Sequence, residues 1–144
     1  MRVREALPKD AERLRQLLEA VLGKPLDEEA RAQLARNLLY FLSEKGNALL
    51  LLEDDQENVI GAASVWVRQG VFDDLPVARV DRVLLAPGHQ TEEAALALLE
   101  QAAALARSVG AGDFEFTLED VPLPPELPKR LGMAALGAYR ARIR

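Results

Sequence analysis

Between Leu84 and Gly110 the chain reads L-L-A-P-G-H-Q-T-E-E-A-A-L-A-L-L-E-Q-A-A-A-L-A-R-S-V-G. An apolar strand ends at Pro87-Gly88, and a long amphipathic helix begins a few residues later. The helix keeps Ala95, Leu98, Leu99, Ala102, Leu105, Ala106 and Val109 on one face, at a period near 3.6 residues. A strand feeding a helix N-terminus is a common seat for an anion, because the first turn offers N–H groups with no partner inside the helix. Here that turn begins Thr91-Glu92-Glu93, so two carboxylates stand where a bound phosphate would sit.

The 144 residues fit one domain, taken as 1–144, with a single core. Aromatic residues are only 5%, so Leu, Ala and Val must do most of the packing, and a stacking platform for single-stranded nucleic acid is disfavoured. A formal net charge of -5 argues against nucleic acid as a partner. With no cysteine, disulfides, thiolate nucleophiles and thiolate metal sites are excluded, and the lone His89 makes a zinc site improbable, so no metal is expected. The start of the chain lacks the shape of a signal peptide, and runs such as Ala48 to Leu52 are too short to span a bilayer. A cytoplasmic protein without a membrane partner is the expectation.

Along the chain, Val3 to Ala6 reads as a strand. Pro8-Lys9-Asp10 then opens a helix with Asp10 as its cap, Leu14, Leu17, Leu18, Val21 and Leu22 on its apolar face, and Gly23 at its end. Asp27 caps a second helix lined by Ala30, Leu34, Leu38, Phe41 and Leu42. Strands are expected over Ala48–Glu53, Val59–Gln69 and Ala78–Leu85, followed by the helix Thr91–Val109 and a strand Phe114–Leu118. One helical turn reaches Leu131, and Leu136–Ile143 is a final strand. The order β, α, α, β, β, β, α, β, short α, β predicts an α/β fold, a mixed, mostly antiparallel central sheet with helices on both faces.

This order resembles the GNAT superfamily of acetyl-CoA-dependent N-acyltransferases, over essentially the whole chain. Val3-Arg4-Glu5-Ala6 with Asp10 is similar to the family's opening strand and helix cap, and Val59-Ile60-Gly61-Ala62-Ala63 to its third strand. Leu85-Ala86-Pro87 resembles the end of its fourth strand, Leu98-Leu99-Glu100 and Gly110-Ala111 the body and end of its main helix, and Arg130-Leu131-Gly132-Met133 its late [KR]-L-G-F. The family's [QR]-x-x-G-x-[GA] loop falls on Gln90-Thr91-Glu92-Glu93-Ala94-Ala95, where Gln90 and Ala95 match and Glu93 replaces the central glycine.

The resemblance implies acetyl-CoA as cofactor, splayed between the fourth and fifth strands. Its pantetheine would bond to backbone at Val83 and Leu85, and its pyrophosphate would face Gln90 and the N–H groups from Thr91 through Ala94 and Ala95. A carboxylate about 5 Å from one phosphate charge costs roughly 3 kcal/mol at an effective dielectric near 20. The helix N-terminus returns only about 0.3–1 kcal/mol. A Glu93 aimed at the ligand would weaken binding, whereas one turned into solvent would be tolerated.

In the same family an acidic base is frequent early in the fourth strand, at the position of Arg79 here. Asp81, two residues on and so on the same strand face, is the candidate catalytic base, and a surface carboxylate paired with Arg79 or Arg82 is the plainer alternative. The family's tyrosine acid aligns with Pro128, and Glu119-Asp120-Val121-Pro122 stands in place of its usual asparagine. Tyr139 and Tyr40 are the only tyrosines, expected on the last strand and a helix edge. His89 is expected in an exposed turn, Trp66 in the core or an interface, and Asp73, Asp74, Glu119 and Asp120 in solvated loops able to attract a cationic amine.

The implied activity is transfer of an acetyl group to a primary amine of a small molecule or peptide. The alternative is a non-catalytic domain that keeps the scaffold, has lost the cofactor and acts through a partner. A homodimer stays open, since edge strands in such sheets often pair.

Overall fold

A computed structural model describes residues 1–116 and 126–133 of the chain. Strand β1 (Arg2–Glu5) leads through a 3₁₀ turn at Pro8–Asp10 into α1 (Ala11–Leu22) and α2 (Glu28–Ser43). Strands β2 (Asn47–Glu53), β3 (Val59–Arg68) and β4 (Val77–Leu85) follow, then α3 (Glu92–Ser108), β5 (Asp113–Glu115) and the short α4 (Leu127–Arg130). The sheet order is β1-β2-β3-β4-β5, antiparallel except for the parallel β4–β5 pair. This is the mixed, mostly antiparallel sheet that the pattern predicts. The expected strand Leu136–Ile143, with Tyr139, lies outside the described residues, as do Glu119 and Asp120. No described helix is long and apolar enough to cross a membrane.

The run Leu49-Leu50-Leu51-Leu52 explains why the sheet is covered on both faces. Alternate side chains of a strand point to opposite sides. Leu50 and Leu52 join Val65, Val80, Leu98 and Leu99 under α3, while Leu49 and Leu51 join Leu14, Leu17, Leu38 and Ala62 under α1 and α2. Helix α3 turns a face of small residues inward, with Ala94, Ala95, Ala102, Ala103 and Ala106 all buried. That face lets the helix approach the sheet closely, and Gly61 completes the fit. A Cβ at Gly61 would lie 2.9 Å from Leu85 Cδ2, 3.2 Å from the Leu84 carbonyl oxygen and 3.4 Å from Leu98 Cδ1.

Local signals set the helix ends. Asp27 Oδ1 accepts from the Ala30 N–H at 2.8 Å, and Gly23 closes α1 with φ 73°. Asp10 departs from its expected role. It precedes α1, but its carboxylate makes no cap bond to that helix. It accepts instead from the Leu7 N–H at 2.7 Å and, at both oxygens, from the Arg4 guanidinium at 2.7 and 2.9 Å. The charge-assisted pair with Arg4 outcompetes a neutral amide of the first helical turn.

Arg4 also reaches Glu53 Oε1 at 3.1 Å, and Glu53 receives Arg2 at 2.8 Å and Arg13 at 3.1 Å. Two buried carboxylates are thereby matched by three arginines that tie β1, β2 and α1 together. The Arg4 guanidinium holds the Asp10 carboxyl down, from the usual 3.8 to about 2, and Arg2 leads the set that lowers Glu53.

A depressed carboxylate pKa stabilises the fold above the unfolded value and loses that contribution as pH falls toward the folded one. The melting temperature is therefore expected to fall steeply between about pH 4 and pH 2, a window set by the Asp10 shift. Replacing Arg4 by Ala strands the buried Asp10, while Glu53 keeps Arg2 and Arg13, and is expected to cost about 3 kcal/mol at pH 7. Urea unfolding of this variant at pH 7, beside thermal scans of the native chain across the acid range, checks both statements.

Candidate functional site

Strand β4 has nine residues, but β5 pairs only with Val77, Ala78 and Arg79. From Val80 to Leu85 the side of β4 away from β3 meets no strand among the described residues. The Ala86 N–H donates to the Ile60 carbonyl at 2.9 Å, toward β3. By the alternation of an antiparallel ladder, Leu84 faces β3 as well, and Val83 and Leu85 direct their backbone groups to the open side. The side chains of these two residues pack into the core beneath α3.

The strand divides at a bulge. Val65 is opposite Val80 and Ser64 is opposite Arg82, so Asp81 is the extra residue. The Ser64 hydroxyl accepts from the Arg82 N–H at 3.1 Å and stabilises the distorted rung. A bulge breaks the two-residue alternation. The two-residue spacing from Arg79 therefore does not by itself assign the face of Asp81, since it counts an unbroken strand. Asp81 is exposed, and among the described residues it pairs with neither Arg79 nor Arg82.

Beyond β4 the chain turns at Ala86–His89, closed by the His89 N–H to the Ala86 carbonyl at 2.9 Å, with Gly88 at φ 84°. A positive φ of this kind favours glycine. His89 and Gln90 are exposed, and the His89 carbonyl accepts from the Thr91 N–H at 2.9 Å. Thr91 caps α3: its Oγ1 accepts from the Ala94 N–H at 3.1 Å, and its carbonyl from the Ala95 N–H at 3.1 Å. Of the amides from Thr91 to Ala95, those of Glu92 and Glu93 alone lack an acceptor among the described residues. The two acids diverge. Glu92 pairs with Arg130 of α4 at 2.8 Å, whereas Glu93 is exposed and makes no ion pair among the described residues.

Asp81, Val83, Leu85 and the Gln90–Ala95 loop follow one another along the chain, from the bulge to the start of α3. Tyr40 is exposed on α2. Reading the residues singly missed Trp66, which is partly exposed with the guanidiniums of Arg68 and Arg79 at 4.3 and 5.8 Å from its ring centre. The W-x-R spacing on β3 was a visible signal, but the partnership with Arg79 depends on the cross-strand register.

The chain matches the family model described as Acetyltransferase (GNAT) family over residues 11–121. Among solved structures it is similar to a putative acetyltransferase from Agrobacterium tumefaciens, with TM-score 0.72, 14% identity and coverage of 99% of this chain and 100% of that one. It is similar to a ribosomal-protein-alanine N-acetyltransferase from Brucella melitensis, with TM-score 0.69, 19% identity and coverage of 100% and 99%. An aminoglycoside 6'-N-acetyltransferase from Acinetobacter haemolyticus gives TM-score 0.66, 19% identity and complete coverage, 100% of both chains. Among curated proteins no sequence match is found.

Removing the Thr91 hydroxyl leaves the Ala94 amide without its cap. Thr91→Ala is expected to lower stability by about 1 kcal/mol, and Thr91→Ser to retain most of it, as read by urea unfolding.

Proposed function

The chain belongs to the GNAT family of acetyltransferases, and from that membership we propose that it moves an acetyl group from acetyl-CoA to a primary amine of a small molecule or peptide. The observation that carries the reading is the side of β4 from Val80 to Leu85, which meets no strand among the described residues. Val83 and Leu85 offer backbone donors and acceptors along it, and the chain continues to a helix start where the Glu92 and Glu93 N–H groups lack an acceptor among the described residues. An extended amide chain ending in a pyrophosphate is a ligand of matching chemistry.

The two glutamates are compatible with this reading: the charge of Glu92 is offset by Arg130, and Glu93 is solvent-exposed. Gln90, at the turn before the helix, adds a side-chain amide to the same end. The small Ala94 and Ala95 are buried under the first turn and leave its outer surface to the backbone.

Acetyl-CoA would supply an acyl thioester, whose carbonyl carbon gains a bond to the amine nitrogen as its bond to sulfur breaks. The chain must hold the thioester still and take a proton from the incoming ammonium. Asp81 is the proposed base, because it is an exposed carboxylate at the bulge of β4, accessible to an entering amine. Pro128 holds the place of the family's tyrosine, so no side chain is assigned to protonate the departing thiolate.

Calorimetric titration with acetyl-CoA is expected to show one site, and absence of binding would overturn the reading. Asp81→Asn should lower kcat on the order of a hundredfold while leaving the acetyl-CoA affinity unchanged. At solvent dielectric, a charge about 5 Å from a phosphate costs about 0.8 kcal/mol. Glu93→Gly is therefore expected to tighten acetyl-CoA binding about fourfold at low salt. No change in affinity would count against a pyrophosphate at this helix start.

A further inference from the structure

We propose that the amine acceptor carries an oxyanion group, carboxylate or phosphate, received by Arg68 and Arg79 beside Trp66; this rests on the transferase reading above. Trp66 is paired across the sheet with Arg79 on β4. Val65 and Val80, their neighbours along each strand, are buried in the core under α3. Trp66 and Arg79 therefore face the opposite side of the sheet, and Arg68, two residues from Trp66, shares that side. The guanidinium carbons of Arg68 and Arg79 stand 4.3 and 5.8 Å from the indole centre.

Two guanidiniums gathered on one ring repel each other, and the ring's negative face offsets only part of that repulsion. Among the described residues neither arginine forms an ion pair or donates a side-chain hydrogen bond. Carboxylates do lie nearby in the chain. Glu115 is opposite Arg79 on β5 in the register, but exposed. Asp73 folds back over Gly70, where an added Cβ would meet Asp73 Oδ2 at 2.0 Å, and Asp74 is exposed in the same loop. The two arginine forks retain donors suited to a planar carboxylate or a phosphate, which is the group guanidinium geometry recognises best.

Position gives this cluster its meaning. Among the described residues Arg79 is the last of β4 that pairs with β5, and Asp81 follows two residues later at the bulge. Two residues of strand separate Asp81 from Arg79, about 7 Å, so an acceptor with its amine at Asp81 and an oxyanion a few atoms away has the length to reach the long, flexible Arg79 side chain. A polycationic acceptor would meet two like charges at the same place.

Trp66 is the only tryptophan of the chain, so its emission reports on this cluster alone. The experiment titrates the whole chain with phosphoethanolamine, β-alanine and ethanolamine at constant ionic strength, following tryptophan fluorescence, with acetyl-CoA calorimetry in parallel. Saturable change with phosphoethanolamine or β-alanine, and none with ethanolamine, is expected; the stronger of the two anionic compounds identifies phosphate or carboxylate. Arg68→Gln and Arg79→Gln should each raise the midpoint about tenfold or more, with Arg68 on an exposed position where folding is not at risk. An equal response to ethanolamine, or none to either anionic compound, overturns the inference. If that happens while acetyl-CoA still binds, the transferase reading stands alone. If the anionic compounds bind at Trp66 and acetyl-CoA does not, the oxyanion site stands and the transferase reading falls.

Discussion

Among the described residues, strand β4 is held by β3 along its whole length and by β5 only at its first three residues. A backbone edge left without a partner strand in the middle of a sheet is a costly arrangement unless something else bonds to it. The rest of the candidate site is arranged around that edge. The Asp81 bulge lies where the pairing stops, and a bulge increases local twist and bends its strand. The crossover helix α3 then returns the chain to the beginning of β4, which is the geometry a parallel pair requires.

The elements that were legible in the sequence are those specified by neighbours in sequence. Helix α3, the caps at Asp27 and Thr91 and the stop at Gly23 follow from residues a few positions apart, and the structure forms each of them. What escaped depends on contacts between distant segments. Asp10 has the right residue type and spacing for a cap, but Arg4 reaches it from β1 and takes both carboxylate oxygens. Asp81 sits in an apparently regular strand, and only the pairing with Ser64 and Val65 reveals the additional residue. The Trp66–Arg79 contact depends on the same register, in which a slip of one residue would send the two side chains to opposite faces.

The charge of Glu92 is met in a similarly non-local way. Viewed alone, the first turn of α3 is an anion site with its sign reversed. Arg130 lies 38 positions further on in sequence and removes half of that negative charge through a half-exposed ion pair. Glu93 retains its charge in water, where the interaction with a neighbouring anion is weak and sensitive to salt. The chain therefore keeps acids that favour the helix dipole, while the Glu92 and Glu93 amides lack an acceptor among the described residues.

Gly61 couples these regions mechanically. The missing methyl group at this position sets how deeply α3 seats against the end of β4, because Leu84, Leu85 and Leu98 converge on the vacant volume. A bulkier residue there would lift the beginning of the helix like a shim under a rail. Its exposed amides would shift relative to the open strand edge although every group able to touch a ligand was unchanged. The reach of the site, from strand to helix, is thus gauged by one atom that the chain does without.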